Sequence, residues 1–294
     1  RRPGEFLELY DDLRAAPLAR WPLALGTGAT ALASSEYRAA LQRVLARHRV
    51  GAILVSSLIG HGLDALRTGL PTALVCHDYY PLWPRLHVDF GDESLDFSAA
   101  AIAPALATPD AESPFGETRA TYWQQLREAY VSALLEARIT LFAPGNAVRR
   151  NIERIEPRLA ALRWHVIPHG LAPWPAPPPP PAPSPRNGLR VLVLGRINGG
   201  KGETLLAELV KRLDPGIELV LLGAGRAGMR FFGHGGVHVR MDYARQNLPE
   251  LVRQIAPDLA LIPATVAETF SYTLSELRSL GVPVLATRLG SLAE

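Results

Sequence analysis

Nine of the eighteen residues between positions 171 and 188 are proline, five of them consecutive at 177–181. Proline has no amide hydrogen and a fixed φ, so such a stretch enters neither a helix interior nor a central strand. It runs instead as an extended spacer rising about 3.1 Å per residue. A chain of 294 residues interrupted in this way is expected to form two compact units with separate cores. The expected layout is an amino-terminal unit over 1–170, a linker over 171–188 and a carboxyl-terminal unit over 189–294. A ligand for a proline-binding module is the competing reading, but a position between two strand–helix patterns already accounts for the segment as a linker.

Short apolar runs at 52–55, 72–76, 139–142 and 164–167 precede the linker, with helical patterns at 35–47 and 122–135. Beyond it, 190–194, 218–222, 237–239, 258–262 and 283–286 read as strands, with helices near 203–212, 248–255 and 271–280. Apolar strands alternating with helices signal parallel sheets covered on both faces. The fold class is therefore α/β, with doubly wound, Rossmann-like units.

Composition removes several classes of function. Cys76 is the only cysteine, which excludes an intramolecular disulfide framework and a cysteine-based zinc site. Hydrophobic residues make up 48% of the chain, yet no uninterrupted apolar run approaches the roughly 20 residues of a bilayer span. The opening Arg1-Arg2-Pro3-Gly4-Glu5 lacks the features of a secretory signal, so a cytoplasmic location is expected. The net charge of +3 comes from 31 basic residues scattered among 28 acidic ones, which speaks against a nucleic-acid partner. The pairs His165/His169 and His234/His238 have four-residue spacing, but proline or glycine lies inside each, and no metal is expected. Only Lys201 and Lys211 are lysines, so each is informative.

One of them lies in Gly195-Arg196-Ile197-Asn198-Gly199-Gly200-Lys201-Gly202, which follows an apolar strand and opens a helix. Glycines let the backbone approach a ligand, a helix start offers unpaired N–H groups, and Arg196 and Lys201 neutralise phosphate charge. The spacing nearly matches a P-loop, but Gly202 stands where a serine or threonine hydroxyl should hold magnesium. A tight strand–helix turn with solvated basic side chains is the plain structural alternative.

The second segment runs from Pro263 to Pro283. A strand ends just before it, a helix is expected to begin near Thr269 to Ser271, and Gly281 and Pro283 stop that helix. Glu268 then sits at the carboxyl end of a strand. Glu276 lies about 9–12 Å further along the helix axis at 1.5 Å per residue. The two carboxylates are too far apart to share a proton. They suit opposite ends of an extended ligand whose anionic centre rests on the N–H groups of Thr269, Phe270 and Ser271. A dipole partner at Glu268 and a solvated helix face at Glu276 is the structural alternative.

Taken together, Glu268-x7-Glu276, the following Gly281-Val282-Pro283-Val284 and the earlier Gly195-Arg196-x4-Lys201-Gly202 resemble the donor-binding domain of glycosyltransferase family 4, retaining enzymes of the GT-B type. The resemblance implies two Rossmann-like domains facing a cleft, with Arg196 and Lys201 at the donor diphosphate, Glu268 at the donor sugar and Glu276 at the ribose hydroxyls. Leu222-Gly223-Ala224-Gly225 matches the family's glycine turn near the nucleotide. A departure is Thr269-Phe270-Ser271, where the family often has glycines; these side chains narrow the sugar pocket or add hydroxyl donors.

The amino-terminal half is similar more loosely, over residues 50–170. Leu74-Val75-Cys76-His77-Asp78 resembles a strand ending in a histidine that lines the cleft, which gives His77 a catalytic role by that likeness. Phe142-Ala143-Pro144-Gly145-Asn146 and Val166-Ile167-Pro168-His169-Gly170 match later family segments. The family's glycine-rich acceptor loop has only Leu25-Gly26-Thr27-Gly28 as a stand-in, so truncation at both ends is an expectation. Residues 79–96 are rich in Tyr, Trp, His and Asp, a composition suited to an acceptor wall; Trp83, Leu86 and Phe90 packing as a lid is the equal alternative.

The implied reaction is metal-independent transfer from a nucleotide-diphosphate sugar to a glycan or lipid-linked acceptor, with no further cofactor and with peripheral membrane contact left open. A nucleotide-sugar epimerase or hydrolase, and a non-catalytic P-loop-like phosphate-binding module, are the alternatives.

Overall fold

The computed structural model describes residues 5–11, 16–24, 29–85, 88, 95–107, 119–174 and 188–294. The consecutive prolines, Leu86, Phe90 and residues 25–28 lie outside them. The chain divides into two units, Arg1–Pro168 and His169–Glu294.

In chain order the first unit comprises β1 (Phe6–Leu9), β2 (Ala19–Pro22), β3 (Thr30–Ala31), α1 (Ser35–Arg47), β4 (Ile53–Val55), β5 (His61–Gly62) and β6 (Thr72–Val75). There follow α2 (Ala99–Ala107), α3 (Ala120–Glu136), β7 (Thr140–Ala143), α4 (Asn146–Ile155) and β8 (Trp164–Val166). β4, β6, β7 and β8 form a parallel sheet in that order, while β1–β2 is an antiparallel hairpin and β3 pairs in parallel with β5. Local chemistry fixes the helix starts. Ser34 caps α1 by accepting from the Tyr37 amide at 3.2 Å. α3 then drives Trp123, Leu126, Val131 and Leu134 into the core, all without solvent exposure.

The aromatic stretch after β6 belongs to that core. Tyr79, Tyr80 and Trp83 are buried, and Trp83 packs edge-on to Phe97 at 5.8 Å between ring centroids. These three rings are thus largely committed to packing, and residues 86, 87 and 89–94 of the aromatic-rich 79–96 stretch lie outside the described residues.

The second unit comprises β9 (Leu189–Leu194), α5 (Glu203–Val210), β10 (Ile217–Leu222), β11 (Val237–Arg240), α6 (Leu248–Ile255), β12 (Leu259–Ile262), α7 (Tyr272–Ser279) and β13 (Val284–Ala286). Its five strands are all parallel, in the order β11-β10-β9-β12-β13. Side chains of β9 alternate between faces. Leu192 and Leu194 pack with Leu248, Val252 and Leu277 of α6 and α7, whereas Val191 and Val193 pack with Leu206 and Val210 of α5. The strand order reverses between β9 and β12, so the loops leaving these neighbours diverge and open a crevice at the carboxyl edge.

Candidate functional site

Both sequence motifs arrive at that crevice. Gly195 ends β9 with φ +101° while its amide donates to the Leu222 carbonyl at 2.8 Å, and the Ile197 amide donates to Ala224 at 3.1 Å. The first loop thus runs beside the glycine turn after β10. Asn198 then folds it back, its side-chain oxygen accepting from the Lys201 amide at 2.8 Å and its carbonyl from the Glu203 amide at 3.0 Å. Gly202 precedes α5 at φ +81°, and a Cβ there would run into the Pro263 carbonyl. The residue that departs from the P-loop pattern is therefore fixed by close approach of the second loop.

That second loop is stitched to the first. The Thr265 amide donates to Gly200 O at 3.0 Å and its hydroxyl to Gly199 O at 3.1 Å. Glu268 makes a strand-like bridge with Gly290, and its carbonyl accepts from the Ser291 amide at 2.8 Å. Its carboxylate is buried and paired with the Lys201 ammonium, whose side chain is 41% exposed. Ser271 caps α7, accepting from the Leu274 amide at 3.2 Å. The helix begins one residue beyond the expected Thr269–Ser271 window, so Tyr272 and Thr273 supply its first N–H groups. Ser271 and Thr273 line a recess with Gly195, Arg196, Lys201 and Glu268. Phe270 instead packs against His169 and Tyr272, at 4.9 and 5.0 Å between centroids. Arg196 is exposed and makes no ion pair among the described residues.

Glu276, one to two turns along α7, is also buried, but beside a different cation. Its Oε1 accepts from Arg245 Nε at 2.6 Å. Gly223, at φ +81°, leaves room for the Tyr243 ring, which would lie 2.5 Å from a Cβ placed there. Burial, and then the Glu276 charge, push the Tyr243 phenol above its ordinary range. Tyr243, Arg245 and Trp174 were not identified from the sequence.

His77 belongs to the first unit. It follows β6, and its Nε2 lies 2.9 Å from Ser56 Oγ, beyond the end of the neighbouring β4. Burial holds its imidazole below the usual range. The adjoining Asp78 carboxyl is pushed up to about 6 by burial, against the opposing effect of its hydrogen bond from the Tyr80 amide.

No protein-family model matches the chain, and no curated protein sequence matches it. Solved structures do. The sucrose-phosphate synthase of Thermosynechococcus elongatus aligns over 87% of this chain and 61% of its own, with 15% identity and a TM-score of 0.56. Anabaena HepE, solved with UDP and glucose, aligns over 86% and 63%, with 17% identity and a TM-score of 0.53. The catalytic domain of starch synthase IV from Arabidopsis thaliana, bound to ADP and acarbose, aligns over 88% and 61%, with 14% identity and a TM-score of 0.51. The chain thus spans a little over three-fifths of the length of these structures. At such identities the likeness concerns the fold alone, and on that point it agrees with the parallel sheets of the two units: this is the GT-B fold.

Proposed function

We propose that this chain is a nucleotide-sugar-dependent glycosyltransferase of the retaining, metal-independent kind, resembling glycosyltransferase family 4. The observation that carries the reading is the convergence of Lys201, Glu268 and the start of α7 on one recess at the sheet's switch point, with Arg196 at its rim. A diphosphate seated there meets Arg196, the Tyr272 and Thr273 amides and the Lys201 ammonium. The ammonium carries three donors, so it serves Glu268 and a phosphate oxygen together. Solved structures of the same fold that contain UDP or ADP add support.

In the proposed reaction the bond between the anomeric carbon and the diphosphate oxygen breaks as the acceptor oxygen bonds to that carbon on the same face. The acceptor proton passes to the departing phosphate. Charge grows on the diphosphate as the bond lengthens, and fixed cations and amides stabilise it without solvent reorganisation. Glu268 accepts hydrogen bonds from the donor sugar and Glu276 from the ribose diol. His77, whose imidazole burial holds below its usual range, takes the hydrogen-bonding role that the family likeness implies for it. The acceptor is a hydroxyl of a glycan or of a lipid-linked glycan, and the lipid-linked case would bring the chain to the inner face of the membrane. Among the described residues no helix is long and apolar enough to cross a bilayer.

A thermal-shift panel of UDP-, GDP-, ADP- and dTDP-sugars tests the reading. One of them at about 100 times its Kd should stabilise the chain by roughly 2.7 kcal/mol. A shift with magnesium and ATP but with none of these would replace the proposal by a phosphate-binding module. Release of free sugar at a rate independent of added acceptor would mark a hydrolase.

A further inference from the structure

Glu276 is held from two directions. Its carboxylate accepts from Arg245 Nε at 2.6 Å, and its backbone carbonyl accepts from Ser279 Oγ at 2.7 Å. The same Ser279 oxygen accepts from the indole Nε1 of Trp174 at 2.7 Å. Trp174 closes the circuit, because the Arg245 guanidinium carbon lies 4.3 Å from its ring centroid. Three side chains from three distant segments, Arg245, Ser279 and Trp174, therefore hold this residue, and Arg245 alone touches its carboxylate. The Glu276 side chain is 10% exposed and that of Arg245 44% exposed, so the cation borders solvent while the anion is enclosed.

A carboxylate on a flexible side chain turns freely about its last torsion, and a vicinal diol is recognised only when both oxygens face it. A single Nε contact fixes that torsion and leaves Oε2, with the spare lone pair of Oε1, to accept from a ligand. The cation–π contact with the indole restrains the guanidinium in turn.

We propose that Arg245 is a positioning residue that sets ribose specificity: it aims Glu276 at the 2′,3′-diol of a nucleoside diphosphate, with Trp174 holding Arg245 in register. The inference rests on the donor-site reading above. A merely structural ion pair would change stability or weaken all nucleotides alike, whereas a positioning role changes the ratio between ligands with and without the diol.

The test is calorimetric titration of the full chain with UDP, GDP and ADP and their 2′,3′-dideoxy counterparts. Wild type should favour the ribose form by about tenfold or more, the worth of hydrogen bonds to a charged group. Arg245→Met keeps the aliphatic stem on Trp174 but removes the donor. It should cut that preference to about threefold or less, leave dideoxy affinity within about twofold, and be partly rescued by Arg245→Lys. An unchanged preference in Arg245→Met overturns the proposal, as does tighter ribonucleotide binding, which would make Arg245 a competitor for Glu276. Should the methionine variant fail to fold, Trp174→Leu, which removes the ring that holds Arg245, takes its place: a reduced preference at unchanged Tm carries the proposal, and a wild-type preference overturns it. Failure of wild type to bind any of the diphosphates overturns the donor-site reading itself, and this inference with it; that outcome appears before any variant is made.

Discussion

The Lys201 ammonium donates to Oε1 of Glu268, joining a side chain from the loop after β9 to one from the loop after β12, 67 residues away in sequence. The carboxylate is buried and the ammonium side chain is 41% exposed, so the two partners are not equivalent.

Removing the lysine leaves a buried carboxylate without its cation, whereas a solvated ammonium loses little on removing the acid. Lys201→Ala should destabilise the chain by about 1–2 kcal/mol, discounted for the exposure of the lysine, and weaken nucleoside diphosphate binding at least about tenfold. Urea denaturation and titration check the two effects separately. Unchanged stability and affinity would remove this pair from the site.

Arg196 offers the opposite combination. It is exposed and makes no ion pair among the described residues, so Arg196→Ala should leave the unfolding free energy in urea within about 0.5 kcal/mol of wild type while weakening diphosphate binding by roughly tenfold. Equal affinity for UDP before and after the substitution would show that the guanidinium does not reach the phosphates.

Restoring the P-loop hydroxyl should fail. Gly202→Ser places a Cβ against the Pro263 carbonyl at φ +81°, for an expected loss of about 2 kcal/mol or more and no gain in magnesium-dependent ATP binding. A serine variant with wild-type Tm that acquires an ATP shift would contradict both the packing and the rejection of an NTPase.

Asp78 gives a pH signature. Its carboxyl titrates near 3.8 when unperturbed, and burial lifts it to about 6 in the folded chain. Between those values the folded state binds more protons than the unfolded one, so this group's contribution to stability falls as pH rises from about 4 to about 6 and levels off above. Asp78→Asn retains an acceptor for the Tyr80 amide. It should flatten that window and leave the variant more stable at pH 7.5 by roughly 2–3 kcal/mol. Parallel denaturation curves for both proteins across pH 4–7 would refute the assignment.

The elements best legible in the sequence were those with caps or clean periodicity. α1 and α6 occupy Ser35–Arg47 and Leu248–Ile255 as read, and the five strands of the second sheet depart from expectation by only a residue or two at their ends. α2 was invisible because Pro104 interrupts a run of alanines with no polar face to set a period. The β1–β2 hairpin and the β3–β5 ribbon are built from strands of four residues or fewer, too short to show alternation. Tyr79 and Trp83 were ambiguous for a different reason: an aromatic-rich stretch does not reveal which rings a sheet will cover. In the candidate site the motif glycines, cations and acids were visible, but their pairing was not. Trp174 lay inside what read as a spacer and Arg245 was one arginine among many, and their contacts with α7 bridge 105 and 31 residues.

The two hydrogen bonds from Thr265 to Gly199 and Gly200 make the loops after β9 and β12 a single clasp. A ligand entering between them meets donors already aimed, so little chain has to be ordered on binding. Such a clasp is also unforgiving. Neither loop can shift by itself to suit a donor of different length or charge spacing, so in the proposed site new donor preferences must arise at the rim, from side chains such as Tyr243 and Arg245, rather than from the clasped backbone.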